Sequence, residues 1–113
     1  MRQVILIELG MGVDLQGQDV TKAAVKAVRD AIGRIYAPGL RAFLGGGKRL
    51  DILVRLGAPP AAGTLDEAAV RAALPHGRAT VEVAPGGLLV PNGQGDGGNI
   101  CVVNAAVELA VAD

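Results

Sequence analysis

Apolar residues along this chain recur with two different periods. Arg2–Leu9 is a short run rich in isoleucine and valine that stops at a glycine-rich break. Its alternation predicts a strand with Ile5, Ile7 and Leu9 on one face and Val4, Leu6 and Glu8 on the other. Val20–Ile35 changes to helical spacing, with Ala24, Val28, Ala31, Ile32 and Ile35 in one stripe and Lys22, Lys26, Arg29 and Arg34 largely outside it. Asp19 stands where an N-cap carboxylate accepts an orphan backbone N–H and suits the positive helix end. Pro38 and Gly39 end this helix, and PGLRAFLGGG leaves room for one short turn. Leu50–Leu56 alternates again, with Ile52, Val54 and Leu56 opposite Asp51, Leu53 and Arg55. Thr64-Leu65-Asp66-Glu67 fits a capping box and opens a short helix to about Leu74, stopped by Pro75, His76 and Gly77. Thr80–Val83 reads as a third strand, and Leu88–Val90 as the returning arm of a hairpin after APGG. The closing stretch ICVVNAAVELAVA alternates along its whole length, with Cys101, Val103, Ala105, Val107, Leu109 and Val111 on one apolar face. A long strand is the reading, with a helix as its rival because Ala, Glu and Leu are good helix formers.

These elements predict one α+β domain over residues 1–113, of β-α-β-α-β-β order, with two helices on one face of a mixed sheet. The other face would carry Val4, Leu6, Glu8, Leu53, Arg55, Glu82, Asn104 and Glu108. That mixture is too apolar for free solvent and too polar for a monomer's core, so it predicts a homo-oligomer. Composition agrees: half the residues are hydrophobic but only 2% are aromatic, so the core is aliphatic and buries little area per side chain. The formal net charge is zero and Tyr36 and Phe43 are the only aromatics, which argues against nucleic acid as a partner. No stretch approaches the roughly 20 apolar residues of a membrane span. The N-terminal run is too short for a signal peptide, and a single cysteine excludes an intramolecular disulfide, so a soluble cytoplasmic protein is expected.

The chain contains no serine, which excludes a Ser-His-Asp triad. Cys101 lies on the apolar face of the last strand and reads as a core thiol, and His76, the only histidine, as a surface residue after a helix. GGGK at 45–48 lacks the Ser or Thr and the following helix of a phosphate loop. GQGDGG at 93–98 matches a bare dinucleotide fingerprint, but ICVVN follows where a helix is needed. Glu8, Asp14, Asp96 and Glu108 are the acids nearest strand ends or inside glycine-rich loops. They have no recognised metal spacing, and no metal or cofactor is assigned.

GMGVDLQG, residues 10–17, carries a resemblance. The chain resembles a small conserved-hypothetical family of bacteria and plants with an N-terminal Gly-x-Gly-x-Asp-x-His-Gly signature. Gly10, Gly12, Asp14 and Gly17 match it, and Gln16 stands where the family has histidine. The similarity extends to VRLGAP, the PGG turn and NAAVE. It implies no particular activity, and Gln16 removes a titratable imidazole while keeping hydrogen-bonding capacity. The element order also looks like trimeric chorismate-mutase-like and deaminase-like small folds, which place small-molecule sites between subunits; this is analogy at the level of fold. The expectation is therefore a homo-oligomer, a trimer by that analogy, binding a small polar or anionic molecule at subunit borders. Gly10, Gly12, Asp14, Gln16 and Gly17 would face Asp96 and Asn99, with Glu8 and Glu108 as acid/base candidates if burial raises a pKa. A non-catalytic structural or interaction protein is one alternative, and a hydrolase of a cyclic amide another.

Overall fold

The computed structural model describes residues 1–74 and 78–113. Five strands, β1 (Arg2–Asp14), β2 (Arg49–Ala58), β3 (Arg78–Pro85), β4 (Leu88–Pro91) and β5 (Asn99–Ala112), form one mixed sheet. The sheet order is β1-β5-β2-β3, and β4 also pairs with β5. β2 and β3 are parallel; β1, β2 and β4 each run antiparallel to β5. Helices α1 (Val20–Gly33) and α3 (Glu67–Ala72) lie on one face, and α2 (Leu40–Phe43) is the short turn between α1 and β2. The α+β class and the one-sided helices agree with the sequence, and the sheet has one strand more than the six-element order.

The long strand is the right reading of the last segment. β5 is the spine of the sheet, and Cys101, Val103, Ala105, Val107, Leu109 and Val111 are all buried. They meet Ala23, Ala24, Ala27, Val28 and Ala31 of α1, Ile52, Val54 and Leu56 of β2, and Val70 of α3 in one aliphatic core. Asp19 caps α1 through Lys22 N–H at 3.0 Å, as its position predicts. The capping box at Thr64 does not form. Asp66 is the cap of α3, its Oδ1 accepting from Ala68 and Ala69, and its own N–H donates to Thr21 Oγ1 at 3.0 Å. A second contact, to α1, thus favours a cap two residues later. The expected helix stop at Pro75, His76 and Gly77 lies outside the described residues.

Two corrections concern register. Leu88–Val90 is not the return arm of a hairpin with β3. Both β3 and β4 run antiparallel to β5, so Gly86 and Gly87 carry the chain sideways past the end of β2. The crossing is tight: a Cβ on Gly86 would lie 2.9 Å from the Gly57 Cα, and one on Gly87 2.1 Å from the Val102 carbonyl oxygen. The hairpin is β4–β5, and residues 92–98 are its loop. In β1 the register shifts between Val4 and Leu6. This bulge reverses the faces beyond it. Leu6 and Glu8 turn to the helix side, while Ile7 and Leu9, expected inside, are 53% and 64% exposed on the helix-free face.

The helix side of β1 is built for contact. Ideal Cβ atoms on Gly10 and Gly12 would lie 2.3 Å from the Ala27 carbonyl oxygen and 1.9 Å from that of Ala23. Glycine every second residue of the strand thus meets alanine every fourth residue of the helix, spacings of about 6.8 and 6.0 Å. From the same helix, Lys26 Nζ donates to Val13 O at 3.0 Å, Asp30 Oδ2 accepts from Met11 N at 2.9 Å and Arg34 Nη1 donates to Leu9 O at 2.7 Å. Glu8 Oε1 accepts from Leu9 N at 3.1 Å. Side chains therefore occupy four outer backbone groups of β1, on Leu9, Met11 and Val13. The Asp30 carboxyl is held below the usual range by the Met11 N–H and then by Arg34.

On the helix-free face, Leu53, Arg55, Glu82, Asn104 and Glu108 do come together, as expected. Glu108 is buried beneath Arg2 at 2.8 Å and Arg55 at 3.1 Å, and Glu82 lies 3.7 Å from Arg55. These partners, Arg2 first and Arg55 next, hold the Glu108 carboxyl below its ordinary value. The acid/base role required the opposite shift; paired charge outweighs burial here. A carboxyl lowered in the folded state stabilises the fold fully above its unfolded value of about 4.3, and that contribution fades as pH falls through the lowered folded value. Glu108→Gln is expected to cost roughly 1–2 kcal/mol at pH 7, the paired arginines being partly exposed. Thermal melts of both proteins should converge only as the pH falls through the lowered folded value, where the wild-type carboxyl also loses its charge.

Candidate functional site

The turn from β1 to α1 and the β4–β5 loop meet at one end of the sheet. Asp14 ends β1 with its side chain on the helix side, opposite Cys101, and is only 6% exposed. Its Oδ2 accepts from Asp19 N at 2.7 Å and so draws the turn closed just before the helix. Inside that turn Gly17 has φ +84° and Gln18 φ +53°. Left-handed backbone costs a non-glycine residue roughly 1–2 kcal/mol. The Gln18 side chain is held there, its Oε1 accepting from Asn99 Nδ2 at 2.6 Å.

The second loop closes on itself. Asn92 N donates to Gly98 O at 3.0 Å, and Asn92 Oδ1 accepts from Gln94 N at 2.8 Å. Asp96 Oδ1 accepts from Gly98 N at 2.7 Å and Asn92 Nδ2 at 3.0 Å. The Gly98 N–H, and after it Asn92, hold the Asp96 carboxyl below the usual range. Gly93, Gly95 and Gly97 all have positive φ, between +72° and +81°, which side chains rarely adopt. Here glycine serves turn geometry, and no helix follows to make a phosphate site.

Between the two loops lies a cavity of about 570 Å³. Gln16, Gln18, Asn92, Gln94 and Asn99 line it with side-chain amides, Asp96 adds a carboxylate, and Leu15 and Ile100 form an apolar wall. Of the residues singled out from sequence, Gln16, Gly17, Asp96 and Asn99 meet here, within one chain. Gly10 and Gly12 do not, because α1 covers them, and Asp14 lies behind the turn. Glu8 and Glu108 are on opposite faces of the sheet, away from the cavity. Gln18, Asn92 and Gln94 were missed; amides alternating with glycine in both LQGQ and NGQGDG were the available signal.

Among the described residues no lysine, arginine or histidine lines this cavity. Cys101 is fully buried in the core, and burial, then the Asp14 and Asp19 carboxylates, push its thiol up. Among the described residues no three His, Cys, Asp or Glu side chains are grouped to hold a metal ion, and no helix is long and apolar enough to cross a membrane. His76 lies outside the described residues.

Fold and cavity together define a small α+β protein with one helix-covered sheet and an amide-lined hollow at its end. The chain belongs to a family described as Conserved hypothetical protein (Lin0512_fam), whose profile matches residues 4–109. It is also similar in structure to an FtsZ-like protein of unknown function from Nostoc punctiforme, solved by crystallography. That likeness has a TM-score of 0.78 at 32% sequence identity and covers 99% of this chain and 98% of the other. Comparison with curated proteins gives no significant match.

Proposed function

We propose that this protein binds a small, neutral or cationic polar molecule in the cavity between the two glycine-rich loops, as a homo-oligomer with the site near a subunit border. The observation that carries this is the convergence of five side-chain amides and one carboxylate on about 570 Å³, within the usual range of ligand pockets. Amides donate and accept, so they match ureas, amides, sugars and amino compounds better than anions. The anionic ligand considered from sequence has no basic side chain among the described lining residues to favour it. Asp96, the one acid there, is held ionised and is an acceptor, which suits binding. The left-handed Gln18 supports the same reading, since strained backbone concentrates at ligand sites.

A second reading, a non-catalytic structural protein, is favoured by a different observation: Gly10, Gly12 and Asp14 all have packing or turn-closing roles. Titration of ¹⁵N-labelled protein with a panel of sugars, cyclic ureas and amino amides separates the two. Binding should shift amides of residues 16–18 and 92–100 and weaken at least tenfold in Asn99→Ala. No shift in those segments at millimolar concentration across the panel would leave the structural reading.

A further inference from the structure

The helix-free face of the sheet has two unlike parts. One is ionic and satisfied within the chain: Arg2 and Arg55 clasp Glu108, and Asp51 lies beside Arg49. The other is apolar and open. Residues in register there are Leu9 beside Ala106, Met11 beside Asn104, Val102 beside Leu88, and Ile100 beside Val90. Leu9, Met11 and Leu88 are 64%, 55% and 61% exposed. With Ile7, Leu15 and Val90 they present on the order of 600 Å², at the upper end for the largest apolar patch of a monomer. Their half-buried neighbours bring the area close to the ~800 Å² each partner gives to a stable complex.

We propose that this apolar part is the interface between two copies of the chain, related by a two-fold axis that crosses the strands near Val102. The inference rests on the oligomeric part of the functional reading and not on the cavity's ligand. Symmetry selects the axis. A two-fold axis across the strands there lays Leu88, Val102 and Val13 over their own counterparts, so apolar meets apolar. An axis along the strands would set Leu9 and Met11 over the Arg55–Glu82 side. Zero net charge removes long-range repulsion between copies. Leu15 and Ile100 then continue from the seam into the cavity wall, which brings the second copy to the mouth of the site.

Light scattering after size-exclusion chromatography at 10–50 μM, as roughly chosen to sit well above a micromolar Kd, tests this. Wild type should have twice the chain mass of 11.4 kDa, and Met11→Glu should halve that mass with an unchanged far-ultraviolet circular dichroism spectrum. Leu88→Glu, on another strand, should do the same and replaces Met11→Glu if that variant does not fold. A monomeric wild type would overturn the oligomer altogether. A trimer, or an assembly whose mass both variants leave unchanged, would overturn this interface alone and leave the oligomer standing.

Discussion

Gly12→Ala should lose about 3 kcal/mol or more of unfolding free energy, a large share of the roughly 5–15 kcal/mol of a typical domain. The added methyl would sit 1.9 Å from the Ala23 carbonyl oxygen and 2.4 Å from the Ala27 nitrogen. Both are backbone atoms inside α1, so no rotamer change relieves them. The helix must rise off the sheet, opening the contact at Gly10 and pulling Lys26, Asp30 and Arg34 from the strand edge together. Ordinary overpacking strains one side chain; here a whole helix moves. Gly33→Ala is the control, since nothing lies within 4 Å of its added Cβ and its φ is not left-handed. It should be neutral or stabilise by up to about 1 kcal/mol through the unfolded chain. Urea midpoints of the two variants should move in opposite directions or differ by most of the expected loss.

Asp14→Ala should cost about 2 kcal/mol, the value of a charge-assisted hydrogen bond to a partly buried donor. It frees the Asp19 N–H and loosens the turn that holds Gln18 in its left-handed conformation. Asp14→Asn keeps an acceptor oxygen and should lose about half as much. Because Asp14 does not line the cavity, any loss of ligand affinity should follow the loss of stability across the two variants. A strong drop in binding for Asp14→Asn, with an unchanged melting temperature, would mean that Asp14 touches the ligand itself.

The sequence showed periodicities well and close approaches poorly. The alternation of residues 100–112 marks β5 because both faces carry a clear pattern along nearly all of the fourteen-residue strand. The α1 stripe and its Asp19 cap were equally plain, being local. The face of β1 was not, since one bulge residue inverts every position after it without changing composition. Gly10 and Gly12 looked like loop glycines because a missing side chain reads the same in a turn and under a helix; only the Ala23-Ala27-Ala31 spacing further along the chain hints at the contact. Gln16, Gly17, Asp96 and Asn99 were legible as neighbours because both glycine-rich segments abut strands of one sheet. Their placement within a single chain was not, since it depends on β4 pairing with β5 instead of β3.

The three side chains that α1 extends over the rim of β1 make the sheet one-ended. From Leu9 to Val13 the helix stands in for a sixth strand, offering two donors and one acceptor at strand spacing. An incoming extended chain finds those positions already taken. Among the described strands, templated addition is thereby left to the first residues of β1 and to the outer sides of β3 and of the short β4. A protein this rich in exposed aliphatics thus keeps much of one rim closed to uncontrolled growth.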